Sequence, residues 1–314
     1  MGAEYNGRPI GPSDAGARLR ARLDAARAGR ARPLLLDGAL GTELERRGVP
    51  AQLPLWSARA LLERPEVVAG IHRDYVEAGA EALTANTFRT ARRTLAREGH
   101  GARARALTRL AVDLARRAAE GAPREVFVLG SEAPLEDCFR PDLVPDDDAL
   151  AREHAEHVED LVRGGVDAVL LETMGTVREA AAAARAARAA GIPFLAGFAC
   201  DGAARLLSGE PLEAALEAVA AAGPIAVGAN CLPASAIPAC LAVLRRAGLP
   251  AFVAPNLGPP DASGAFTSSE ALAPAALAAL ATGWRAAGVA ALGGCCGTGP
   301  AHVAALARAL GREA

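Results

Sequence analysis

The chain has 314 residues and a mass of 31.9 kDa, and 51% of its residues are apolar, which is enough to bury a sizeable core. Its net charge of −2 is distributed along the chain and indicates neither a nucleic-acid nor an anionic-membrane partner. The sequence contains no lysine. Schiff-base aldolases, pyridoxal phosphate enzymes and P-loop NTPases each need a lysine amine at a fixed place, so all three classes are excluded.

The N-terminal segment, residues 1–32, is polar and arginine-rich and lacks the apolar core of a secretory signal. The longest uncharged stretch, residues 218–244, is interrupted by three prolines, and we interpret it as a buried strand with loops rather than a membrane span. Six cysteines, two of them adjacent, do not resemble a secreted disulfide framework. We therefore expect a cytoplasmic protein in which clustered thiols serve metal binding or catalysis.

Eight short and continuously apolar runs recur along the chain, as expected of parallel strands buried on both faces. The runs cover residues 33–37, 82–86, 126–131, 168–172, 194–198, 225–230, 252–256 and 289–294. Between them lie stretches rich in Ala, Arg, Glu and Leu with the spacing of amphipathic helices. Examples are residues 65–78, 102–120 and 146–163.

This strand–helix alternation predicts an α/β fold, a single (β/α)8 TIM barrel over residues 31–314. Residues 1–30 are predicted to form a short helical arm outside it. A doubly wound open sheet is the alternative, but no Gly-x-Gly-x-x-Gly follows the first run. Residues 137–148 and 258–269 are predicted to form long loops above the barrel mouth.

Polar residues end nearly every apolar run, at the edge of a TIM barrel where the chemistry collects. Turn formation alone accounts for a polar residue at any one of these positions, but it does not account for three thiols. The run-terminal residues are Asp37, Asn86, Ser131, Glu172, Asn230, Cys231, Asn256, Cys295 and Cys296.

Cys231, after the sixth run, and the adjacent pair Cys295 and Cys296, after the eighth, are predicted to converge on one metal ion. Adjacent cysteines rarely form an unstrained disulfide with each other. The flanking glycines at 293, 294 and 297 give the backbone freedom to turn both sulfurs inward. Zinc is favoured because sulfur ligands at a non-redox site suit it best. The remaining cysteines, Cys138, Cys200 and Cys240, have no obvious metal partners, and the last two are interpreted as small buried hydrophobes.

A fourth zinc ligand from the protein would have to be a histidine. His154 and His157 lie three residues apart on a predicted helix with acidic neighbours, which is typical of a solvated face. His302 is close to the cysteine pair but falls within a helix that starts near Pro300. We therefore expect the fourth position to be left for the substrate.

The chain resembles the homocysteine S-methyltransferases, a family that includes S-methylmethionine- and betaine-dependent enzymes and the homocysteine module of cobalamin-dependent methionine synthase. The similarity lies in five motifs distributed over residues 36–297. They are Leu-Asp-Gly-Ala-Leu-Gly-Thr-Glu-Leu at 36–44, Thr-Ala-Asn-Thr-Phe at 84–88, Leu-Glu-Thr-Met at 171–174, Gly-Ala-Asn-Cys at 228–231 and Gly-Gly-Cys-Cys-Gly at 293–297.

The resemblance implies a methyltransferase with one Zn²⁺ per chain, held by the three cysteines of the last two motifs. It implies that Asp37, Gly38 and Glu172 bind the amino acid part of homocysteine, with Asn86 and Thr87 beside the site. The expected reaction moves a methyl group from an onium donor to homocysteine and forms methionine. The expected partners are therefore two small-molecule substrates.

The methyl donor is predicted from charge and aromatic content. Arg89 and Thr173 stand where betaine-dependent relatives carry aromatic residues, and Ala133-Pro134 replaces the commoner Gly-Pro. A quaternary ammonium needs an aromatic cage, whereas few aromatic residues lie near the predicted strand ends. They are Trp56, Phe88, Phe139 and Trp284. S-methylmethionine is therefore the first choice, ahead of S-adenosylmethionine and betaine.

Two other functions remain open from the sequence. A phosphate-binding barrel enzyme would use Gly297, Thr298 and Gly299 at a helix N-terminus. A non-catalytic zinc or thiol protein would use the same three cysteines without methyl transfer.

Overall fold

The structure is a computed structural model that describes residues 14–257 and 272–311. The first part of the predicted arm and the predicted loop at 258–269 lie outside the described residues. Within the described ranges, no helix is both long and apolar enough to cross a membrane.

The described residues contain eight strands, one for each predicted apolar run. They are β1 Leu34–Leu35, β2 Ala82–Ala85, β3 Phe127–Glu132, β4 Ala168–Met174, β5 Phe194–Phe198, β6 Ala226–Pro233, β7 Ala251–Asn256 and β8 Ala291–Leu292. All neighbouring pairs are parallel, in the order β1-β8-β7-β6-β5-β4-β3-β2. A parallel bridge between Leu36 and Ala82 joins β1 to β2, so the sheet curls into a barrel.

Twelve α-helices lie in the described residues and surround this sheet. They are α1 Asp14–Arg27, α2 Gly41–Arg46, α3 Arg59–Glu63, α4 Pro65–Glu77, α5 Arg92–Ala96, α6 Ala104–Glu120, α7 Asp147–Gly164, α8 Val177–Ala189, α9 Leu212–Ala220, α10 Ile237–Leu244, α11 Pro274–Ala286 and α12 Pro300–Ala309. The TIM barrel predicted from the sequence is thereby confirmed.

Local chemistry explains where the helices begin and end. The Asp146 side chain accepts a hydrogen bond from the amide of Ala149 at 2.8 Å, which caps the first turn of α7. Gly165 ends the same helix in the left-handed conformation that favours glycine. In α8, the Thr176 hydroxyl caps the amide of Glu179 in the same way.

Helix α1 packs against one end of the barrel. Leu19 and Leu23 are fully buried and belong to one apolar cluster with the inward-facing residues of the strands, including Leu34 and Phe127. The helical arm predicted from the sequence thus contributes to the core. The boundary between arm and barrel at residue 30 stays a prediction.

Candidate active site and metal centre

A cavity of about 740 Å³ opens where the strands end. The polar run-terminal residues that line it are Asp37, Asn86, Ser131, Glu172, Asn230, Cys231, Cys295 and Cys296. Gly38 also lines the cavity, whereas Asn256 and Thr87 do not. The structure therefore brings most of the predicted site residues to one chamber.

The sulfur atoms of Cys231, Cys295 and Cys296 all lie within 4.8 Å of one another. Cys231 Sγ and Cys296 Sγ are 3.9 Å apart. Tetrahedral zinc with zinc–sulfur bonds of about 2.3 Å places its ligand sulfurs about 3.8 Å from one another. The thiols are thus spaced as the ligands of one small cation would be.

Backbone irregularity at the end of β6 directs Cys231 into the cavity. The pairing of β6 with β7 shifts register between Asn230 and Pro233, and Cys231 adopts φ +56°, in the left-handed region. Such bulges commonly redirect a side chain next to an active site. The same irregularity occurs at the end of β4, where Thr173 has φ +60° beside Glu172.

The glycines around Cys295 and Cys296 act differently from the expectation that all three supply backbone freedom. Only Gly297 has a positive φ, of +85°. Gly293 and Gly294 are needed because they are small: an added Cβ would lie 2.6 Å from Leu36 Cβ and 2.3 Å from Thr298 Oγ1, respectively. Close packing of β8 against the β1 end and the following turn therefore places the cysteine pair.

The three thiols share charge through hydrogen bonds. Contacts with Cys231 and Cys296 lower the pKa of Cys295 well below its ordinary value. The same contact with Cys295 raises the pKa of Cys231 well above its own. Cys295 is therefore the thiol of the three that ionises most readily, which suits a cation.

Two carboxyl groups, those of the buried Asp37 and the half-buried Glu172, share the cavity with the thiols. Burial raises the pKa of Asp37 to about 7, although its carboxylate accepts hydrogen bonds from Thr84 N at 2.7 Å and Thr84 Oγ1 at 3.0 Å. Burial, followed by the charge of Cys295, raises the pKa of Glu172 to about 8, and Ser131 donates to it. A cationic ligand in the cavity would favour the ionised form of both carboxyl groups.

The other predicted substrate residues occupy supporting positions. Asn86 Nδ2 donates to the Ser57 carbonyl at 2.9 Å, which fixes the amide at the cavity wall. Thr87 is fully buried behind that wall, and its hydroxyl donates to the Ser131 carbonyl at 2.9 Å. Gly38 leaves no room for a side chain, because an added Cβ would lie 2.8 Å from the Tyr75 hydroxyl.

The prediction that His154 and His157 face solvent is wrong. Both imidazoles are buried, and their Nδ1 atoms lie 2.5 and 2.7 Å from the two carboxylate oxygens of Glu132. The acidic partner lies on β3, not on the same helix, so helical spacing gave no signal of it. His302 contributes no metal ligand either, since its nitrogens bond Gly299 N and the Leu272 carbonyl.

The backbone amides of the glycine-rich turn before α12 are already bonded. Gly297 N donates to Thr42 Oγ1, Thr298 N to the Cys295 carbonyl and Gly299 N to His302 Nδ1. These bonds leave none of the three for a phosphate group, so the structure does not favour the phosphate-binding alternative.

Four aromatic residues line the cavity: Trp56, Phe88, Phe139 and Phe252. Trp56 and Phe88 meet edge to face with ring centroids 5.3 Å apart. Trp284, expected near the strand ends, is instead buried in the core away from this lining. Thr84 and Arg89 are the site residues that the strand-end pattern missed: Thr84 lies inside an apolar run, and Arg89 lies beyond its end.

Comparison with known proteins identifies the class to which this site belongs. The family description homocysteine S-methyltransferase matches residues 34–310. Homocysteine S-methyltransferase of Escherichia coli is 36% identical over 87% of this chain and 94% of its own length. Methionine synthase of Mycobacterium tuberculosis is 35% identical over 89% of this chain, which spans only 25% of that protein.

The crystal structure of the metallated homocysteine methyltransferase MmuM from Escherichia coli superimposes with a TM-score of 0.79. The two chains are 32% identical, and the matched region covers 90% of this chain and 98% of the MmuM chain. Fold and site together define a TIM-barrel enzyme with a thiol cluster able to bind a metal. The chain belongs to the homocysteine S-methyltransferase family.

Proposed function

We propose that this protein transfers a methyl group from a sulfonium amino acid to the thiol of homocysteine at a zinc ion held by Cys231, Cys295 and Cys296. The observation that carries the proposal is the convergence of three sulfurs within 4.8 Å in a chamber that also holds the carboxyl groups of Asp37 and Glu172. The three thiols supply the metal ligands, and the carboxyl groups supply the charge that an amino acid ammonium needs.

The donor set fits zinc in number, chemistry and spacing. The free thiol of homocysteine resembles that of cysteine, whose pKa is about 8.5, so little of the substrate is present as thiolate at neutral pH. Zinc, when bound at this site, would keep a coordinated substrate thiol deprotonated. No histidine of the described residues belongs to the thiol cluster, so the thiol of homocysteine would supply the remaining ligand of a bound zinc ion.

The protein's own residues bind and orient the two substrates. Asp37 and Glu172 pair with the substrate ammonium, and the narrow turn at Gly38 forms the adjoining wall. The homocysteine sulfur attacks the methyl carbon in line with the bond to the sulfonium sulfur. That bond breaks, its electron pair stays with the departing sulfur, and a neutral thioether leaves. The thiol proton has by then passed to solvent. Enclosure in the chamber holds the reacting atoms together and limits water.

The choice of a sulfonium donor follows from the aromatic residues. The guanidinium carbon of Arg89 lies 5.0 Å from the centroid of the Phe88 ring, so a cation already contacts that ring. Trp56 meets Phe88 edge to face, so these two rings contact each other. S-methylmethionine is therefore preferred, S-adenosylmethionine is second, and betaine is third.

A methionine-formation assay tests the proposal. Homocysteine is offered with S-methylmethionine, S-adenosylmethionine or betaine, with and without a zinc chelator. We expect turnover with S-methylmethionine that chelation abolishes and added zinc restores. Stoichiometric zinc without transfer from any donor would instead favour the non-catalytic zinc protein.

A further inference from the structure

Arg89 is a buried cation for which the described residues provide no carboxylate. Its side chain is only 5% exposed, and it is the one arginine among the described residues that is buried to this extent. Nη1 donates to the backbone carbonyl of Glu136 at 2.7 Å, while Nε is buried and has no hydrogen-bond partner. Burying a charged group without an opposite charge is costly, so such a group calls for an explanation.

The side chain of Glu136, whose backbone carbonyl bonds Arg89, is already engaged by other arginines. Glu136 presents its side chain to Arg93, with Nη1 and Oε1 3.1 Å apart, and to Arg97. Arg93 also pairs with Glu153. Only the backbone oxygen of Glu136 is left for Arg89. The fold therefore pairs the surface arginines of this segment and leaves the inner one without a counter-charge.

Arg89 lines the cavity that contains the thiols. Among the described lining residues Arg89 is the only basic one, whereas Asp37, Glu45, Asp137 and Glu172 are acidic. An amino acid entering this chamber brings one ammonium and one carboxylate. The acids suit the ammonium, and Arg89 is the group that suits the carboxylate.

We propose that Arg89 is the carboxylate-binding residue of the cavity and thereby selects amino acid substrates. This inference rests on the proposed function and deepens it. The Nε–H and the second terminal N–H₂ of a guanidinium form a planar fork that matches a carboxylate. Contact with the Phe88 ring on one face holds that plane in position. The carboxylate belongs either to homocysteine or to the sulfonium donor.

Binding measurements with matched ligand pairs test the assignment. The pairs are methionine and 3-(methylthio)propylamine, homocysteine and 3-aminopropanethiol, and S-methylmethionine and (3-aminopropyl)dimethylsulfonium. The second member of each pair lacks only the carboxylate. Kd is measured by calorimetry for the zinc-loaded wild type, Arg89→Met and Arg89→Lys. Arg93→Met serves as the control, because it removes an equal charge from the same wall without touching the cavity.

We expect the carboxylate to tighten binding by about 10- to 100-fold in the wild type and in Arg93→Met. In Arg89→Met that ratio should fall to near one, and Arg89→Lys, which keeps the charge but loses the fork, should lie between. A loss confined to the homocysteine pair assigns the carboxylate to the acceptor, and one confined to the S-methylmethionine pair assigns it to the donor. An unchanged ratio in Arg89→Met would overturn the proposal.

Thermal unfolding separates this role from a structural one. Arg89→Met should have a Tm no lower than the wild type, because it removes a buried cation that lacks a counter-charge. A marked fall in Tm together with equal weakening of both members of every pair would overturn the proposal. A wild type that binds the carboxylates through Arg89 but forms no methionine would contradict the proposed function and leave this assignment standing.

Discussion

Asn230 and Thr173 are joined by two reciprocal hydrogen bonds between the ends of β6 and β4. Asn230 Oδ1 accepts from Thr173 N at 2.9 Å, and Asn230 Nδ2 donates to Thr173 Oγ1 at 3.0 Å. Thr173 and Cys231 both have positive φ, a conformation that persists only where the surroundings hold it. One amide thus fixes the backbone next to Glu172 and next to Cys231.

Asn230→Ala should weaken metal binding without removing a ligand. Loss of both hydrogen bonds frees the backbone at Thr173 and Cys231, so we expect about 10- to 100-fold weaker zinc affinity. We also expect a loss of roughly 1–3 kcal/mol in the free energy of unfolding. Competition with a zinc-binding dye and urea denaturation measure the two effects. Thr173→Val, which keeps the bond from the backbone N–H, is the control and should lose less of both. Wild-type affinity in Asn230→Ala would contradict this role.

Glu172→Gln should impair substrate binding and leave the metal site loaded. Removing the charge that faces the substrate ammonium is expected to raise the KM for homocysteine about 10- to 100-fold. Steady-state kinetics and metal analysis on the same sample check both statements. Glu213→Gln, on the exposed side of α9, is the matched control. Loss of zinc in Glu172→Gln would show that the carboxylate supports the metal rather than the substrate.

Affinity for methionine should rise with pH because the ammonium-binding carboxyl groups titrate late. Burial raises the pKa of Asp37 to about 7 and that of Glu172 to about 8. Both groups lose protons as pH increases, so the site gains negative charge between about pH 6 and about pH 9. Methionine has no thiol to confuse the profile. Calorimetric titration across this range should show that the Kd of the wild type for methionine falls as pH rises. In Glu172→Gln, the part of this fall near pH 8 should be missing. A flat wild-type profile would contradict the assignment.

The buried network of Glu132, His154 and His157 should make stability depend on pH. Burial alone would lower the pKa of His154, but the hydrogen bond of its Nδ1 to Glu132 and the carboxylate of Glu179, 3.6 Å from its Nε2, raise it to about 9. A histidine whose folded pKa exceeds its ordinary value contributes stability below about pH 6.5 and loses it as pH rises through about 9.

We therefore expect wild-type stability to decline by up to about 3 kcal/mol between about pH 6.5 and about pH 9.5. Urea denaturation at a series of pH values measures the decline. Glu132→Gln should be less stable near neutral pH and should show a shallower alkaline decline. A wild-type stability that does not change over this range would refute the coupling between His154 and Glu132.

The sequence predicts the barrel and most of the chamber because both depend on short-range signals. The apolar runs at 82–86 and 194–198 are continuous and bounded, and the strands Ala82–Ala85 and Phe194–Phe198 match them closely. Cys231 and Cys295 end such runs, and parallel strands present their ends at one edge. The positions of Cys231 and Cys295 in the sequence were therefore sufficient to predict that their thiols lie close together.

Long-range side-chain pairing could not be predicted in the same way. His154 and Glu132 are 22 residues apart and lie on different elements, so the acidic neighbours within the helix suggested solvent instead. Asn230 fits beside β5 only because position 197 is glycine, where a Cβ would lie 2.7 Å from its Oδ1. Complementarity of this kind depends on the packed barrel and leaves no periodic signal.

Zinc content measured together with activity is the most direct test of the central claim. Purified wild-type protein should hold about one zinc per chain, and Cys231→Ala, Cys295→Ala and Cys296→Ala should each lose both zinc and methionine formation. Cys240→Ala, which alters a buried cysteine of α10 outside the cluster, should retain both. Full turnover by a zinc-free wild type, or full zinc occupancy in Cys231→Ala, would contradict the account.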